Sequence, residues 1–241
     1  KETNVLSYAY LYNGGGTAIG DINNDGLPDI YFVGTMIPGK LYLNQGNFKF
    51  KDITESANVG GGDGFRTGVT FVDVNSDGLL DIYICKSGLA DQKRRKNVLY
   101  VNNGNLTFTE RAAEYGIDDE SYSMQSYFYD MDLDGDLDLL ILNHPYEMRY
   151  TNKVQLTYDK KGKLVAQQDT ARLHVSYRYY QNEKGHFYDK TIAAGLGTHA
   201  YGLSAIIDDF NSDGYPDIYA CNDFSNPDRL FINNKDGTFT D

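Results

Sequence analysis

Four nine-residue segments of the sequence carry closely spaced acidic side chains. They span residues 21–29, 73–81, 130–138 and 209–217, and each follows the pattern D-x-[DN]-x-D-G-x-x-D. The side chains at positions 1, 3, 5 and 9 and the backbone carbonyl at position 7 offer the many oxygen ligands that a hard divalent cation prefers. The glycine at position 6 permits the sharp turn that would point these groups inward.

The candidate metal ligands occupy the same five positions in every segment. They are Asp21, Asn23, Asp25, Leu27, Asp29, Asp73, Asn75, Asp77, Leu79, Asp81, Asp130, Asp132, Asp134, Asp136, Asp138, Asp209, Asn211, Asp213, Tyr215 and Asp217. Three or four carboxylates this close together would repel one another without a cation. Calcium is favoured over magnesium because the protein can supply every ligand. Zinc and copper are disfavoured because no His or Cys lies at a ligand position.

One such segment alone would also fit a solvated turn rich in Asp, Asn and Gly. Four copies in register favour metal binding instead, up to four calcium ions with one in each loop. An EF-hand is excluded because no Glu stands at position 12 and no helical pattern flanks the loops.

The residues around each acidic loop repeat as well. A short apolar run lies on either side of the loop, and a second pair of runs follows, joined by a tight turn such as Asn103-Gly104. In the third unit we match the third run to residues 178–181. Four short strands per repeat are typical of a propeller blade. We therefore predict an all-β fold, a β-propeller of four-stranded blades. Its four blades are expected at about residues 13–60, 64–117, 121–195 and 197–241.

Composition narrows the classes of function. The 241 residues contain 34 Asp and Glu against 22 Lys and Arg, a net charge of −12, and 41% are hydrophobic, which excludes a disordered acidic tail. This charge argues against nucleic acid and anionic membranes as partners. Four calcium ions would cancel eight of the negative charges, so the exclusion of nucleic acid then rests on the absence of a recognition motif.

Cys85 and Cys221 occupy equivalent repeat positions and are expected as free thiols, with a disulfide as the alternative.

The loops, the Gly-containing strand before them and the Asp-Ile-Tyr strand after them resemble FG-GAP/VCBS repeats, the calcium-loop blades of integrin α-subunit propellers. Residues 13–29 followed by 41–54 are most similar to bacterial VCBS-repeat proteins like cartilage acidic protein. The resemblance covers nearly the whole chain except residues 1–12 and about 145–177. It implies a propeller, calcium in the loops, an adhesion or binding role and an exported or cell-surface location. Complete members have about seven blades, so part of a larger propeller is expected, with a closed four-bladed ring as the alternative.

Two insertions are the candidate ligand contacts, since loops vary while blades form the scaffold. The longer one, about residues 145–177, is expected to hold an extra hairpin formed by 153–158 and 163–167. Its candidate ligand-binding residues are Tyr146, Arg149, Tyr150, Arg172 and Tyr177. The shorter one, residues 90–97, carries a basic run at 93–96 that could meet an anionic partner or be a solvated loop.

No catalytic residues are predicted, since none of the four His lies in a nucleophile or zinc motif. The leading hypothesis is a calcium-binding propeller module, exported or at the cell surface, that recognises a protein or glycan. The alternatives are a calcium-dependent polysaccharide-degrading enzyme and a structural subunit of an outer-membrane uptake complex. The sequence has no apolar run of transmembrane length, and a lipid anchor, if present, would lie outside it.

Overall fold

The computed structural model describes residues 8–88, 91–144, 156–158, 162–166, 175–223 and 226–241. Within them the chain forms four antiparallel sheets of four strands, each of which is one blade. Blade 1 contains β1 (Thr17–Gly20), β2 (Asp29–Phe32), β3 (Lys40–Asn44) and β4 (Phe50–Asp52); blade 2 contains β5 (Phe65–Val72), β6 (Asp81–Ser87), β7 (Val98–Asn102) and β8 (Phe108–Glu110). The all-β fold built from four-stranded blades is confirmed.

Blades 3 and 4 follow the same plan. Blade 3 contains β9 (Ser123–Tyr129), β10 (Asp138–Asn143), β13 (Arg178–Glu183) and β14 (His186–Asp189); blade 4 contains β15 (Gly202–Asp208), β16 (Asp217–Asn222), β17 (Arg229–Asn233) and β18 (Phe239–Thr240). Between β10 and β13, β11 (Leu156–Tyr158) and β12 (Leu164–Ala166) pair as an antiparallel hairpin. This hairpin was predicted for the long insertion, although residues 153–155, 159–161 and 167 lie outside the described part of the chain.

Helical structure in the described residues is limited to single turns. These are α1 (Thr54–Ala57), α2 (Ala112–Tyr115) and two 3₁₀ turns at Ala9–Tyr12 and Gln92–Arg94. The turns α1 and α2 each follow the last strand of a blade and end at a residue in the left-handed region, Asn58 and Gly116. They return the chain from the outer strand of one blade to the inner strand of the next.

The structure shifts our alignment of the third unit by one residue. Residues 179–182, rather than 178–181, are the counterpart of 99–102 in blade 2. The evidence is the backbone N–H of Asn182, which donates to Asp138 Oδ1 at 2.8 Å. The asparagine at the end of the third strand makes this same bond in the other three blades. The second residue of this run is aromatic in the other blades, and either Tyr179 or Tyr180 could fill that position, so the sequence pattern fitted both matches.

Side chains along the second strand of each blade point alternately to the two faces of the sheet, and these side chains form the contacts between blades. In β6, Ile82 and Ile84 belong to the apolar core shared with blade 1, whereas Tyr83 and Cys85 belong to the core shared with blade 3. All four side chains are fully buried. Because successive residues of a strand point to opposite faces, a run that is apolar throughout is what a sheet buried on both sides requires.

Three such cores join the four blades, between blades 1 and 2, 2 and 3, and 3 and 4. The part of the chain that is described shows no corresponding core between blades 4 and 1, so the sheets form an open arc rather than a closed ring. The inner strands β1, β5, β9 and β15 line its concave side, where a cavity of about 420 Å³ lies between Val69, Ser126 and Ile207.

The two outward faces of the arc carry apolar side chains that are exposed. On blade 4, Ile206 pairs with Tyr219 and Tyr219 with Leu230 across neighbouring strands, and Ile206 and Leu230 are 59% and 39% exposed. In blade 2 the equivalent Tyr83 and Leu99 are completely buried against blade 3. The end face of blade 4 therefore has the chemistry of the internal interfaces.

The two cysteines are both free thiols. Cys85 is buried between blades 2 and 3, while Cys221 lies half-buried on the outward side of blade 4. Burial raises the pKa of the Cys85 thiol to about 12, which keeps it protonated and unreactive at neutral pH.

Candidate metal centre

Each acidic loop connects the first and second strands of its blade. Because the inner strands lie side by side, all four loops project from the same face of the arc. Asn24 in the first loop donates its side-chain amide to the carbonyl of Gly78 in the second loop at 2.9 Å, which places the two loops in direct contact. The repeated sequence pattern thus produces a row of similar loops on one face.

The backbone wraps around the carboxylate at position 1 in the same way in every loop. In the second loop, Asp73 accepts the backbone N–H groups of Asp77 at 3.0 Å and Gly78 at 2.8 Å. Positions 4 and 6 both have positive φ in all four loops, for example Ser76 at 58° and Gly78 at 83°. The predicted requirement for glycine at position 6 is explained by this left-handed conformation.

The aspartate at position 9 lies beneath the loop and is buried in every blade. These residues are Asp29, Asp81, Asp138 and Asp217. One carboxylate oxygen accepts the backbone N–H of position 2, and the other accepts a backbone N–H from the end of the third strand. Position 9 therefore fastens the loop to its own sheet, in addition to the ligand role predicted for it.

Burial of this carboxylate changes its acidity. Burial raises the pKa of Asp81 to about 6 and that of Asp138 to about 7, although backbone N–H donors oppose the change in both. Neighbouring carboxylates, Asp77 for the first and Asp132 for the second, add to the rise. A divalent cation in the loop would favour the ionised form of these groups.

The sequence pattern missed the partner of position 9, which is an asparagine at the end of the third strand or, in blade 3, one residue before it. The four residues are Asn44, Asn102, Asn182 and Asn233. Each donates its backbone N–H to position 9 and its side-chain amide to the carbonyl of position 8. Their recurrence at the end of the third apolar run was visible in the sequence and could have identified them.

The third loop shows most clearly that these residues fit a cation. Asp130, Asp132 and Asp134 each present a carboxylate oxygen, and these oxygens lie within 4.8 Å of one another, the only such group of three in the described part of the chain. Asp132 Oδ1 and Asp136 Oδ1 are buried without any hydrogen-bond partner. Buried oxygens of this kind are costly unless a ligand satisfies them, so the donor set fits a hard cation such as calcium.

The connections between the second and third strands emerge from the opposite face of the arc. Both insertions leave and rejoin their blades on this face. Of the five candidate ligand-binding residues, Tyr146, Arg149, Tyr150 and Arg172 fall outside the described residues. Tyr177 is only 1% exposed, donates its hydroxyl to Asn222 at 2.9 Å and packs edge-on against Phe231. It belongs to the core between blades 3 and 4, not to an exposed surface.

Most of the basic run at residues 93–96 is engaged by the protein itself. Arg94 pairs with Asp63 at 2.9 Å and Lys96 pairs with Asp118. Arg95 is buried and donates to the carbonyl of Glu120 at 3.0 Å. The run therefore helps to hold neighbouring loops in place, while Lys93, Arg94 and Lys96 remain exposed to solvent.

Comparisons with known proteins agree with this architecture. The family model described as FG-GAP-like repeat matches residues 21–84 and 209–241, which contain the first, second and fourth acidic loops. These two segments are therefore similar to FG-GAP-like repeats. The third loop lies outside the matched segments. No curated protein matches the sequence.

Among solved structures, the chain is similar to a lectin from Agrocybe aegerita whose structure is described as the basis of specific recognition of non-reducing terminal N-acetylglucosamine. The two share 18% sequence identity with a TM-score of 0.50. The match covers 92% of this chain but 50% of the lectin, so the chain spans about half the length of the structure that it resembles. The likeness establishes a propeller fold.

None of the described helices is long and apolar enough to cross a membrane.

Proposed function

We propose that the chain is a calcium-binding propeller module, exported or displayed at the cell surface, that recognises a glycan or protein ligand. The observation that carries this proposal is that the two faces of the arc hold different kinds of loop. Acidic loops of one design occupy one face, and the connections that vary in length and sequence occupy the other. A scaffold with variable loops on one side is how many folds present a binding surface.

Calcium has a structural role in this proposal. The carboxylates at positions 1, 3, 5 and 9 would hold the ion, with the carbonyl at position 7. Bound there, calcium would neutralise the repelling carboxylates and cross-link each loop. Because position 9 is bonded to the third strand, a fixed loop also fixes the register of the blade.

A glycan is the favoured class of ligand because the chain has the fold of a lectin that recognises a terminal sugar. Tyrosine and arginine in the long insertion suit this class, since aromatic rings stack on sugars and guanidinium groups donate paired hydrogen bonds. The resemblance to adhesion scaffolds supports the same proposal and the cell-surface location. The finer resemblance to VCBS-repeat proteins like cartilage acidic protein stays a prediction.

A glycan array probed with the calcium-loaded chain tests the ligand class. Binding to a defined set of glycans without shortening them is expected. Arg149→Ala and Arg172→Ala in the long insertion should weaken binding, whereas Lys51→Ala, on the exposed strand β4, should leave it unchanged. Release of shortened sugars would contradict the binding module and support the polysaccharide-degrading alternative, and an array without any bound glycan would contradict the glycan ligand.

A further inference from the structure

The third acidic loop differs from the other three in its ligand residues. It has Asp132 at position 3, where the other loops have Asn, and Asp136 at position 7, where they have Leu or Tyr. In the other loops the amide of position 3 donates to the carboxylate of position 5, for example from Asn75 to Asp77 at 2.9 Å. An amide donor thus occupies an oxygen that a cation would use.

No such donor exists in the third loop, because position 3 is itself a carboxylate. Two of its oxygens, Asp132 Oδ1 and Asp136 Oδ1, are buried and lack a hydrogen-bond partner. A buried carboxylate oxygen without a donor is unfavourable, and here two of them adjoin the converging group of Asp130, Asp132 and Asp134. The loop therefore has more negative charge and fewer internal bonds than its counterparts.

The strand behind the loop is adapted to this extra charge. In β13, Tyr179 donates its hydroxyl to Asp138 Oδ2 at 2.9 Å, and Gln181 donates its side-chain amide to Asp132 Oδ2 at 2.6 Å. The other blades have only apolar residues at these two positions. They are Leu41, Leu99 and Leu230 in place of Tyr179, and Leu43, Val101 and Ile232 in place of Gln181.

The Tyr179 hydroxyl and the Gln181 amide hold the carboxylates of Asp138 and Asp132 in place from the strand. The other oxygen of Asp132, Oδ1, has no hydrogen-bond partner. Hydrogen bonds from outside the ligand set commonly fix ligand orientation, and their loss typically costs about 10–100-fold in metal affinity. Affinity for calcium also rises with the number of charged ligands.

We propose that the third loop is the highest-affinity of the four calcium sites, filled first as calcium rises and emptied last as it falls. The proposal rests on the proposed calcium binding and adds an order to it. The first ion would neutralise the loop whose uncompensated charge is greatest. Blade 3, which carries the long insertion, would then keep its ion at calcium concentrations at which the other loops have lost theirs.

Isothermal titration of calcium chloride into the calcium-free chain tests the order. We expect one site at least about tenfold tighter than the other three. Asp132→Asn gives the third loop the position-3 residue of the others and should abolish the tight phase. Asn75→Asp is the matched control: it makes the reverse change in the second loop and should leave the tight phase in place. Gln181→Leu, which restores the apolar residue of the other blades, should weaken the tight phase without altering the remaining three sites.

The outcomes separate this inference from the proposed function. A wild-type chain that binds no calcium contradicts the proposed function itself. Four sites of equal affinity, or an Asp132→Asn variant that keeps the tight phase, leave calcium binding intact but show that the third loop is not the strongest site.

Discussion

The side-chain amide of Asn102 donates a hydrogen bond to the carbonyl of Ile22 at 2.8 Å, across the boundary between blades 2 and 1. Ile22 is position 2 of the first acidic loop, and Asn102 ends the third strand of blade 2. The backbone N–H of Asn102 also donates to Asp81 in its own blade at 2.8 Å. One buried asparagine therefore joins two acidic loops in neighbouring blades. Asn233 does the same between blades 4 and 3, through the carbonyl of Met131.

Replacement of Asn102 should therefore cost more than replacement of its counterpart in blade 1. We predict that Asn102→Ala lowers the free energy of unfolding by about 2 kcal/mol, because it leaves buried carbonyls without a donor. Asn44→Ala is the matched control, since the amide of Asn44 donates to Pro28 in its own loop and is exposed. Urea unfolding in saturating calcium measures both, and equal losses would argue against a special contribution from the bond between blades.

Position 4 of the third loop carries a residue that is poorly suited to its backbone. Leu133 has φ of 62° and is 50% exposed, whereas the equivalent Asn24 has φ of 58°. Leucine in the left-handed region is strained, and asparagine tolerates it better. We predict that Leu133→Asn stabilises the chain by about 1 kcal/mol, since little apolar burial is lost.

The reverse change provides the control for this prediction. Asn24 occupies the same position of the first loop with φ of 58°, so Asn24→Leu should destabilise by at least as much, since it also removes the hydrogen bond from the Asn24 amide to the Gly78 carbonyl. Thermal unfolding of both variants in saturating calcium measures the effects. A destabilised Leu133→Asn variant would show that the leucine makes contacts that outweigh its backbone strain.

Because Lys86 is buried, we predict that the free energy of unfolding depends on pH. Lys86 is 5% exposed and donates to the carbonyl of Asp63 at 3.0 Å. Burial, with repulsion from Arg66, lowers its pKa to about 8, despite the nearby charges of Glu110 and Asp63. The unfolded chain, in which lysine has its ordinary pKa, binds the proton more strongly over the range from pH 8 to 10.5. Stability contributed by this group must therefore rise with pH in that range.

Comparison with Lys86→Met isolates this group from others that titrate. We expect the stability of the wild-type chain relative to the variant to rise by about 2 kcal/mol between pH 7 and pH 10. Urea unfolding of both proteins across this range, at constant calcium, provides the measurement. A difference that stays constant with pH would mean that Lys86 keeps its ordinary pKa in the folded state.

The blades and the acidic loops could be predicted from the sequence because both repeat. Period-two alternation, Asn-Gly turns and the spacing of aspartates are local features, so four copies were enough to indicate four-stranded blades and to place each loop between the first and second strands. The equivalent repeat positions of Cys85 and Cys221 left a disulfide open, and only the structure shows that both are free thiols.

Contacts between repeats could not be predicted from the sequence, because they join residues that are far apart in the chain. The bond from Asn102 to Ile22 joins residues 80 positions apart, and nothing local distinguishes Asn102 from Asn44, whose amide stays within its own loop. The burial of Tyr177 depends on blade 4, which packs against it only in the folded chain. The sequence alignment matched Gln181 to Asn102, one residue away from its true counterpart Val101. This error hid the role of the Gln181 amide as a hydrogen-bond donor to Asp132.

Differential scanning calorimetry of the chain, in calcium and after chelation, shows whether the acidic loops bind calcium and whether the ion stabilises the fold. If calcium binds the four loops, each occupied site adds to stability, and removal of the ions should lower the melting temperature by more than about 10 °C. Addition of calcium in excess of the chelator should restore it, whereas magnesium should restore little, because it does not favour a site in which the protein supplies all the ligands. An identical melting temperature with and without calcium would contradict the account.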